Sequence, residues 1–267
     1  MSTTQALQEE LYGQSVDYRH GSPHLSHWPL YDRLTEVLRA EVRRLDDAGL
    51  PLRALEIGAG HGGYTEPMLA AGCSVTAVEM SRPSLAELNR RFGTNPRFEG
   101  VFDRDGSLSS VDDRFSLAVC VSVLHHIPDY LGFLDILMRH VAEGGTLVTF
   151  QDPLWYPRVG KASRIATLAG FYSWRLAQGN LARGLGTVGR RLRGRYDEDN
   201  PSDMVEYHVV RAGVDERAVQ TLVADRFESA DLLPYWSSQA PAGQRAGERL
   251  GLVNTFGVVA RGARRPA

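Results

Sequence analysis

The fold of this chain is decided by the stretch Ala54-Leu-Glu-Ile-Gly-Ala-Gly-His-Gly-Gly-Tyr64. An apolar run opens there into a glycine-rich turn, and a second apolar run, 75–78, ends in Glu79. A strand, a glycine-rich turn, a helix and a second strand capped by an acid form half of a nucleotide-binding α/β domain. The glycines let the backbone approach a ligand, and the acid can accept hydrogen bonds from both hydroxyls of a ribose. The stretch therefore predicts binding of a cofactor that contains adenosine.

The glycines alone leave the identity of the cofactor open. Gly58 and Gly60 fit the G-x-G-x-x-G pattern of NAD-binding domains together with Gly63, and they fit G-x-G-x-G together with Gly62. Glu56 separates the two interpretations, because its carboxylate would repel the pyrophosphate of NAD but is compatible with the ammonium and sulfonium groups of S-adenosylmethionine (SAM). This pattern, with the acid that ends the second strand, resembles the signature of class I SAM-dependent methyltransferases.

The resemblance implies contacts between SAM and further residues. Glu79 is expected to bind the ribose, with Met80 beside it. Asp103, in the turn after the third predicted strand, is the candidate for the adenine amino group. Asp105 is its alternative, and either acid could instead be an ordinary turn former. Ser122 ends the fourth strand, where the resemblance places the wall of the cofactor pocket.

The resemblance also implies the architecture, a Rossmann-like α/β fold with a seven-stranded, mostly parallel sheet that ends in an antiparallel hairpin. The apolar pattern agrees, since strands at about 53–57, 74–78, 97–101, 115–121 and 146–151 alternate with helices at about 63–71, 83–92 and 130–142. The single domain is predicted to contain an N-terminal cap helix region (1–49), a SAM-binding core (50–152), a helical lid insertion (153–212) and a last helix with the strand pair (213–260). The tail from residue 261 to 267 is predicted to be disordered.

The length, composition and cysteine count of the chain limit the classes of protein to which it can belong. A chain of 267 residues with 43% hydrophobic residues is long enough for one α/β domain with a sizeable core. Cys73 and Cys120 lie on predicted strands, and we expect both to be small buried hydrophobes. The N-terminus lacks a secretory signal, and no apolar run is long enough to span a bilayer. A soluble, cytoplasmic protein is therefore expected, and a homo-oligomer stays open.

The predicted lid is basic and aromatic. From Arg158 to Arg195 there are nine Lys or Arg and no Asp or Glu. Three interpretations stay open: recognition of a carbohydrate or phosphate-bearing acceptor, peripheral contact with an anionic membrane surface, or a solvated helical face. The net charge of -2 and the lack of a recognisable RNA-binding module argue against nucleic acid as a partner.

Candidate catalytic residues follow from the chemistry of methyl transfer. An alcohol is a weak nucleophile near neutral pH, so its methylation requires a base. His126, with His125 beside it, follows the fourth predicted strand, and Asp152 ends the fifth. A histidine and an aspartate on adjacent strand ends could form an oriented base, in which the carboxylate holds the imidazole tautomer. His126 is the preferred base and His125 the alternative, and a structural role is the competing interpretation for each.

A second group of candidates lies in the predicted lid. If Glu206 and His208 converged with His126 and Asp152, a divalent cation such as Mg²⁺ could activate a sugar diol. No metal-ligand spacing in the sequence supports that cation, and a surface or core role for Glu206 and His208 is the ordinary alternative.

The N-terminal segment supplies the last candidates. The residues around Tyr18 could fold over the cofactor or the acceptor, since a leading helix often packs beside the cofactor pocket in this family. His20, His24 and His27 could line the acceptor site, although surface histidines are the simpler expectation.

The sequence thus predicts a SAM-dependent O-methyltransferase that acts on a hydroxyl of a sugar or sugar-containing small molecule. Its Gly-Ser-Pro-His-Leu leader and arginine-rich composition are similar to those of methyltransferases from actinobacterial saccharide and natural-product pathways. A phenol or carboxylate acceptor from a natural product is the first alternative. An NAD-dependent oxidoreductase and a non-catalytic SAM-binding protein are the others.

Overall fold

The structure is a computed structural model that describes residues 22–177 and 212–265. Within these ranges strands alternate with helices. The strands are β1 (Arg53–Ile57), β2 (Ser74–Glu79), β3 (Phe98–Phe102), β4 (Phe115–Val121), β5 (Val141–Pro153), β6 (Phe227–Tyr235) and β7 (Thr255–Ala263). The helices are α1 (Pro23–Ser26), α2 (Trp28–Asp47), α3 (Thr65–Ala70), α4 (Arg82–Phe92), α5 (Tyr130–Arg139), α6 (Lys161–Ala177), α7 (Glu216–Ala224) and α8 (Pro241–Arg249). Short 3-10 turns span Leu124–His126 and Tyr156–Arg158.

The seven described strands form one sheet in the order β3-β2-β1-β4-β5-β7-β6. Strands β1 to β5 pair in parallel, whereas β7 pairs antiparallel with both β5 and β6. The predicted Rossmann-like fold with a C-terminal antiparallel hairpin is therefore confirmed. Because parallel strands direct their carboxyl ends to one edge, the ends of β1, β2, β4 and β5 meet there, and open α/β sheets bind ligands at that edge.

Helices cover the sheet on both faces. All seven residues of β4 are buried, as expected for a strand at the centre of a sheet that is covered on both sides. Side chains that alternate along the strands point to opposite faces of the sheet and belong to two hydrophobic clusters. Leu134 and Val219 belong to the cluster under α5 and α7, and Leu38 and Met68 belong to the cluster under α2 and α3.

The first long helix, α2, shows how the pattern of apolar residues produces this packing. Leu30, Leu34, Leu38, Val42 and Leu45 recur at helical spacing, and each is at most 3% exposed. Burial of a side chain of this size contributes about 1.5–3 kcal/mol relative to exposure. The helix predicted to end before Gly49 is confirmed, and it holds the N-terminal segment against the carboxyl edge of the sheet.

The larger differences from the predicted boundaries lie at the start of β5 and at the C-terminus. Strand β5 begins at Val141, where a helix was predicted, because α5 ends at Arg139 and the chain turns directly into the sheet. The predicted disorder from residue 261 onward is wrong as far as Ala263. Two nitrogens of the Arg261 guanidinium donate to Oε1 of the buried Glu41, at 2.8 and 2.7 Å, and this pairing extends β7.

The predicted lid lies largely outside the described residues, which contain only its start and α6. Helix α8 was not predicted, because its Gly-containing, polar sequence gives no clear apolar stripe. Cys73 and Cys120 are both free and buried, as expected. Within the described ranges, no helix is both long and apolar enough to cross a membrane.

Candidate active site

The loop between β1 and α3 takes a backbone shape that requires glycine. Gly58, Gly60 and Gly62 have φ angles of +64°, +56° and +82°, in the left-handed region that side chains disfavour. A Cβ on Gly58 would lie 2.6 Å from Cγ2 of Val123, and a Cβ on Gly62 would collide with the ring of Phe92. The loop therefore packs closely on its neighbours on one side and exposes bare backbone on the other.

Substitution of Gly58 tests this close packing, and Gly251 provides a matched control. The two glycines have nearly equal φ angles, +64° and +62°, but a Cβ on Gly251 would meet nothing within 4 Å. Both alanine variants incur similar backbone strain, whereas only Gly58→Ala also crowds the stiff side chain of Val123. Gly58→Ala should lower the free energy of unfolding in urea by about 1–3 kcal/mol more than Gly251→Ala. Equal losses would show that the loop tolerates the extra carbon.

Glu56 lies beneath this loop and is only 3% exposed. The hydroxyl of Thr65 donates to its Oε2 at 2.5 Å. Burial is the main cause that raises the pKa of Glu56 to about 8; the hydrogen bond from Thr65 opposes this rise, and the nearby carboxylate of Glu79 adds to it. A positive group bound above the loop would favour the ionised form. The pocket floor is thus suited to a cationic ligand and not to a phosphate.

Glu79 ends β2 and holds the loop in place. One carboxylate oxygen accepts the N–H of Gly60 at 2.9 Å, and the other accepts the N–H groups of Met80 and Ser81 at 3.0 and 3.1 Å. Burial raises the pKa of Glu79, and these three backbone bonds oppose that rise. A carboxylate has about four acceptor positions, so capacity for a ligand hydroxyl is left.

A cavity of about 710 Å³ opens over the loop at the carboxyl edge of the sheet. Its volume lies within the usual range for small-molecule sites. Six of the site candidates from the sequence line it: Glu56, Gly58, Gly60, Ser122, His126 and, from the N-terminal segment, His24. The structure therefore brings the start of the cofactor motif together with the ends of β1 and β4. Gly62, Glu79, Met80 and Asp103 do not line this cavity.

A row of aromatic rings forms another wall of the cavity. Neighbouring ring centroids are 6.4 Å apart for Trp28 and Tyr31, 5.6 Å for Tyr31 and Tyr64, and 6.2 Å for Tyr64 and His24. His24 is 6% exposed, and its burial lowers its pKa to about 3, so this wall carries no charge near neutral pH. The expectation that His24 lies on the surface is therefore wrong.

His27 is also buried, at 7% exposed, because its Nε2 hydrogen-bonds the carbonyl oxygen of Ser238 at 2.6 Å. This bond joins the N-terminal segment to the chain after β6. For His24 and His27 a role at the acceptor site competed with a surface position, and the sequence analysis missed Trp28 and Tyr31. The i, i+3 spacing of these two aromatic residues at the start of α2 is the signal that could have indicated a shared face.

The histidine pair after β4 is arranged differently from the prediction. Nδ1 of His125 lies 2.8 Å from Oδ1 of Asp152, and the backbone N–H of His125 donates to the same oxygen at 3.1 Å. Asp152 is fully buried, and this burial raises its pKa to about 8. Asp152 therefore holds His125 and not the preferred base, His126. The ring of His126 packs against that of His125, with centroids 4.0 Å apart, and lines the cavity.

An irregularity in β5 directs Asp152 toward His125. The pairing of β5 with β7 shifts register between Thr149 and Asp152, and Gln151 has a φ of +64°. The N–H of Gln151 donates to the hydroxyl of Tyr235 at 2.7 Å, which holds the shifted strand. Bulges of this kind redirect side chains and are frequent beside active sites. Ser122, at the end of β4, also has a left-handed φ of +61°.

The remaining predicted residues lie elsewhere. The carboxylate of Asp103 accepts the N–H groups of Leu108 and Asp105 at 2.8 and 3.3 Å, which is the turn-forming arrangement. A contact between Asp103 and adenine stays a prediction. Tyr18, His20, Glu206 and His208 lie outside the described residues. Within the described ranges no group of three or more His, Cys, Asp or Glu is placed to hold a metal ion.

The fold and this site together define a class I SAM-dependent methyltransferase. The buried carboxyl group of Glu56 beneath the glycine loop suits a cationic cofactor. A family model described as a methyltransferase domain matches residues 31–183, more than half of the chain. The chain therefore belongs to this methyltransferase family, and SAM is its cofactor.

Curated relatives are O-methyltransferases. The ubiquinone biosynthesis O-methyltransferase of Xanthomonas oryzae pv. oryzae (strain PXO99A) is 32% identical over 111 residues, which are 39% of this chain and 44% of that protein. The mitochondrial ubiquinone biosynthesis O-methyltransferase of Schizosaccharomyces pombe is 30% identical over 128 residues, which are 47% of this chain and 45% of that protein. The chain thus spans less than half the length of these relatives.

Solved structures share the fold. The N-methyltransferase NodS from Bradyrhizobium japonicum WM9, in complex with S-adenosyl-L-homocysteine, superposes with a TM-score of 0.55 at 15% identity, covering 99% of this chain and 100% of that one. The plantazolicin methyltransferase BpumL, also with S-adenosyl-L-homocysteine, gives a TM-score of 0.56 at 11% identity, covering 97% and 95%. At these identities the likeness concerns the fold alone.

Proposed function

We propose that this protein transfers the methyl group of SAM to a hydroxyl of a sugar or sugar-containing small molecule, with His126 as the base. The observation that carries the proposal is the position of His126 in the wall of the same cavity as Gly58, Gly60 and Ser122. A histidine at this place can accept the proton of an acceptor hydroxyl as the methyl group is transferred. SAM supplies that methyl group, activated by the positive charge of its sulfonium.

The chain's own residues have separate roles in this proposal. Glu56 and the Gly58–Gly62 loop hold the cationic part of SAM, and Glu79 holds its ribose. His126 faces the acceptor, while the neighbouring ring of His125, fixed by Asp152, limits the movement of His126. Such positioning keeps the base beside the acceptor hydroxyl, which must approach in line with the bond between the methyl carbon and the sulfur, and holding reacting groups in place can remove several kcal/mol of a barrier.

The uncharged aromatic wall supports a ring-shaped, neutral acceptor. Trp28 is 71% exposed although it lines the cavity, so its ring is available for stacking. Tyr31 is partly buried beside it, and its hydroxyl donates to the carbonyl oxygen of Gly63 at 3.0 Å. Aromatic faces of this kind stack on the apolar faces of sugars and on planar rings. Ser22 and Ser26 add hydroxyl groups to the same cavity wall.

A phenol of a natural product is the second candidate acceptor. Two observations favour it: the stacking wall suits a planar ring, and the curated relatives are named as ubiquinone biosynthesis O-methyltransferases. The base at His126 would serve a phenol and a sugar hydroxyl alike.

Transfer of a radiolabelled methyl group from SAM to a panel of acceptors tests the proposal. The panel pairs mono- and oligosaccharides with phenols, carboxylates and amines, and each reaction runs with and without EDTA. We expect label on a hydroxyl acceptor, most strongly on a saccharide, and we expect it to survive EDTA. Label on phenols alone would overturn the sugar acceptor and support the second candidate, a phenol of a natural product. Label on amines or carboxylates alone, or binding of SAM with no transfer, would overturn it.

A further inference from the structure

Helix α6 packs on the protein through small polar residues. The N–H of Val253 donates to the hydroxyl oxygen of Ser163 at 3.1 Å, and the side-chain amide of Asn254 donates to the hydroxyl oxygen of Thr167 at 3.1 Å. Gly170 faces Ser238, since a Cβ there would lie 2.9 Å from the Ser238 hydroxyl oxygen. The spacing i, i+4, i+7 places residues 163, 167 and 170 on one face of the helix.

The opposite face of α6 is apolar and exposed. At about 100° per residue, positions 165, 168, 172 and 176 lie roughly half a turn away from the packed face. Ile165, Leu168 and Leu176 are 68%, 56% and 64% exposed, and Tyr172 is half-buried among them. This arrangement is the reverse of an ordinary surface helix, which turns its apolar stripe toward the core. In the described part of the chain, three of the four side chains of this stripe are therefore more than half exposed, and we call the stripe the outward face.

The charges around the outward face are positive. Lys161 and Arg164 are both exposed on the first turn of α6, next to Ile165. The sequence contains no acidic residue between positions 158 and 195. An apolar stripe bordered by cations matches a surface that is anionic outside and apolar a few ångströms below.

We propose that the outward face of α6 docks on an anionic lipid membrane. The helix would lie in the plane of the interface, with Ile165, Leu168 and Leu176 among the acyl chains and with Lys161 and Arg164 at the headgroups. A second copy of the chain fits this face less well, because a two-fold contact would bring two positive segments together.

Co-sedimentation of the full chain with lipid vesicles tests the proposal. One set of vesicles contains phosphatidylcholine alone, and the other contains phosphatidylcholine with phosphatidylglycerol. We expect binding to the anionic vesicles and its loss at high salt. Ile165→Ser and Leu168→Ser should each weaken that binding by about tenfold or more. Lys161→Gln and Arg164→Gln should each weaken it by about fivefold, and only on the anionic vesicles.

Leu250→Ser is the matched control. Leu250 is 73% exposed, but it lies in the turn that leads to Val253, on the packed side of α6. Its replacement should leave vesicle binding unchanged, and S-adenosyl-L-homocysteine binding checks that each variant is folded. The proposal is overturned if the unaltered chain stays in the supernatant with both vesicles, or if the Ile165→Ser and Leu168→Ser variants bind like it. A dimer in light scattering that Leu168→Ser dissociates would assign the face to a second copy instead.

Discussion

Glu79→Ala is expected to weaken the binding of S-adenosyl-L-homocysteine, a stable stand-in for SAM, by at least about 100-fold. The carboxylate is expected to accept hydrogen bonds from the ribose, and bonds to a charged group in a buried site are each worth about 1.5–3 kcal/mol. It also anchors the cofactor loop through the N–H of Gly60 at 2.9 Å. The substitution therefore removes a ligand contact and the support of the loop together. Isothermal titration calorimetry measures the dissociation constant directly.

Glu99→Ala is the control for this experiment. Glu99 is an exposed acid on the adjacent strand β3, and its one described hydrogen bond, from Thr76, is long at 3.5 Å. Its removal changes the net charge by the same amount but should leave the affinity unchanged. Glu79→Gln separates the two roles of Glu79, because it keeps an acceptor oxygen and loses the charge. Affinity within about twofold of the unaltered protein in Glu79→Ala would refute the ribose assignment.

His126→Asn is expected to lower kcat by about 10²–10⁴-fold on whichever hydroxyl acceptor the panel identifies. The affinity for S-adenosyl-L-homocysteine should be retained, because the loop, Glu56 and Glu79 are left intact. Single-turnover kinetics separates the transfer step from product release. This split between rate and cofactor affinity is expected of a base, and general destabilisation of the fold would not produce it.

Two further histidines sharpen this test. His125→Asn removes the partner of the buried Asp152, so it should reduce stability as well as rate. His140 lies at the opposite end of the sheet, between α5 and β5, and His140→Asn should leave kcat unchanged. Full activity of His126→Asn together with a large loss in His125→Asn would make His125 the base.

The features of this protein that could be predicted from the sequence are those that depend on residues close together in the chain. The glycine loop was recognisable because Gly58 and its neighbours need a backbone that only glycine adopts readily, and because Glu56 and Glu79 lie at the ends of strands with a clear apolar pattern. The parallel pairing of β1 to β5 follows from the same alternation of strands and helices. These features depend on a few residues close together in the chain, and the structure has them where they were expected.

The pairing around His125 could not be predicted, because it depends on the conformation of one residue near the end of a strand. Gln151 has a left-handed φ without being glycine, and this shift places Asp152 against His125. A glutamine does not by itself indicate a left-handed φ, so the sequence contains no signal for this conformation. The aromatic wall was missed for another reason, since Trp28 and Tyr31 reach the cavity only through the packing of α2 on the sheet, which is a tertiary property.

The insertion of β7 between β5 and β6 has a consequence for the protein during its synthesis. The chain emerges from the ribosome N-terminus first. Strand β5 is therefore complete before its antiparallel partner, β7, has been synthesised. About 100 residues separate the end of β5 from the start of β7, and at about 5–20 residues per second they take roughly 5 to 20 s to translate. For that time the nascent chain presents the unpaired edge of a long, apolar strand. We expect this interval to be the period in which the emerging chain depends most on chaperones.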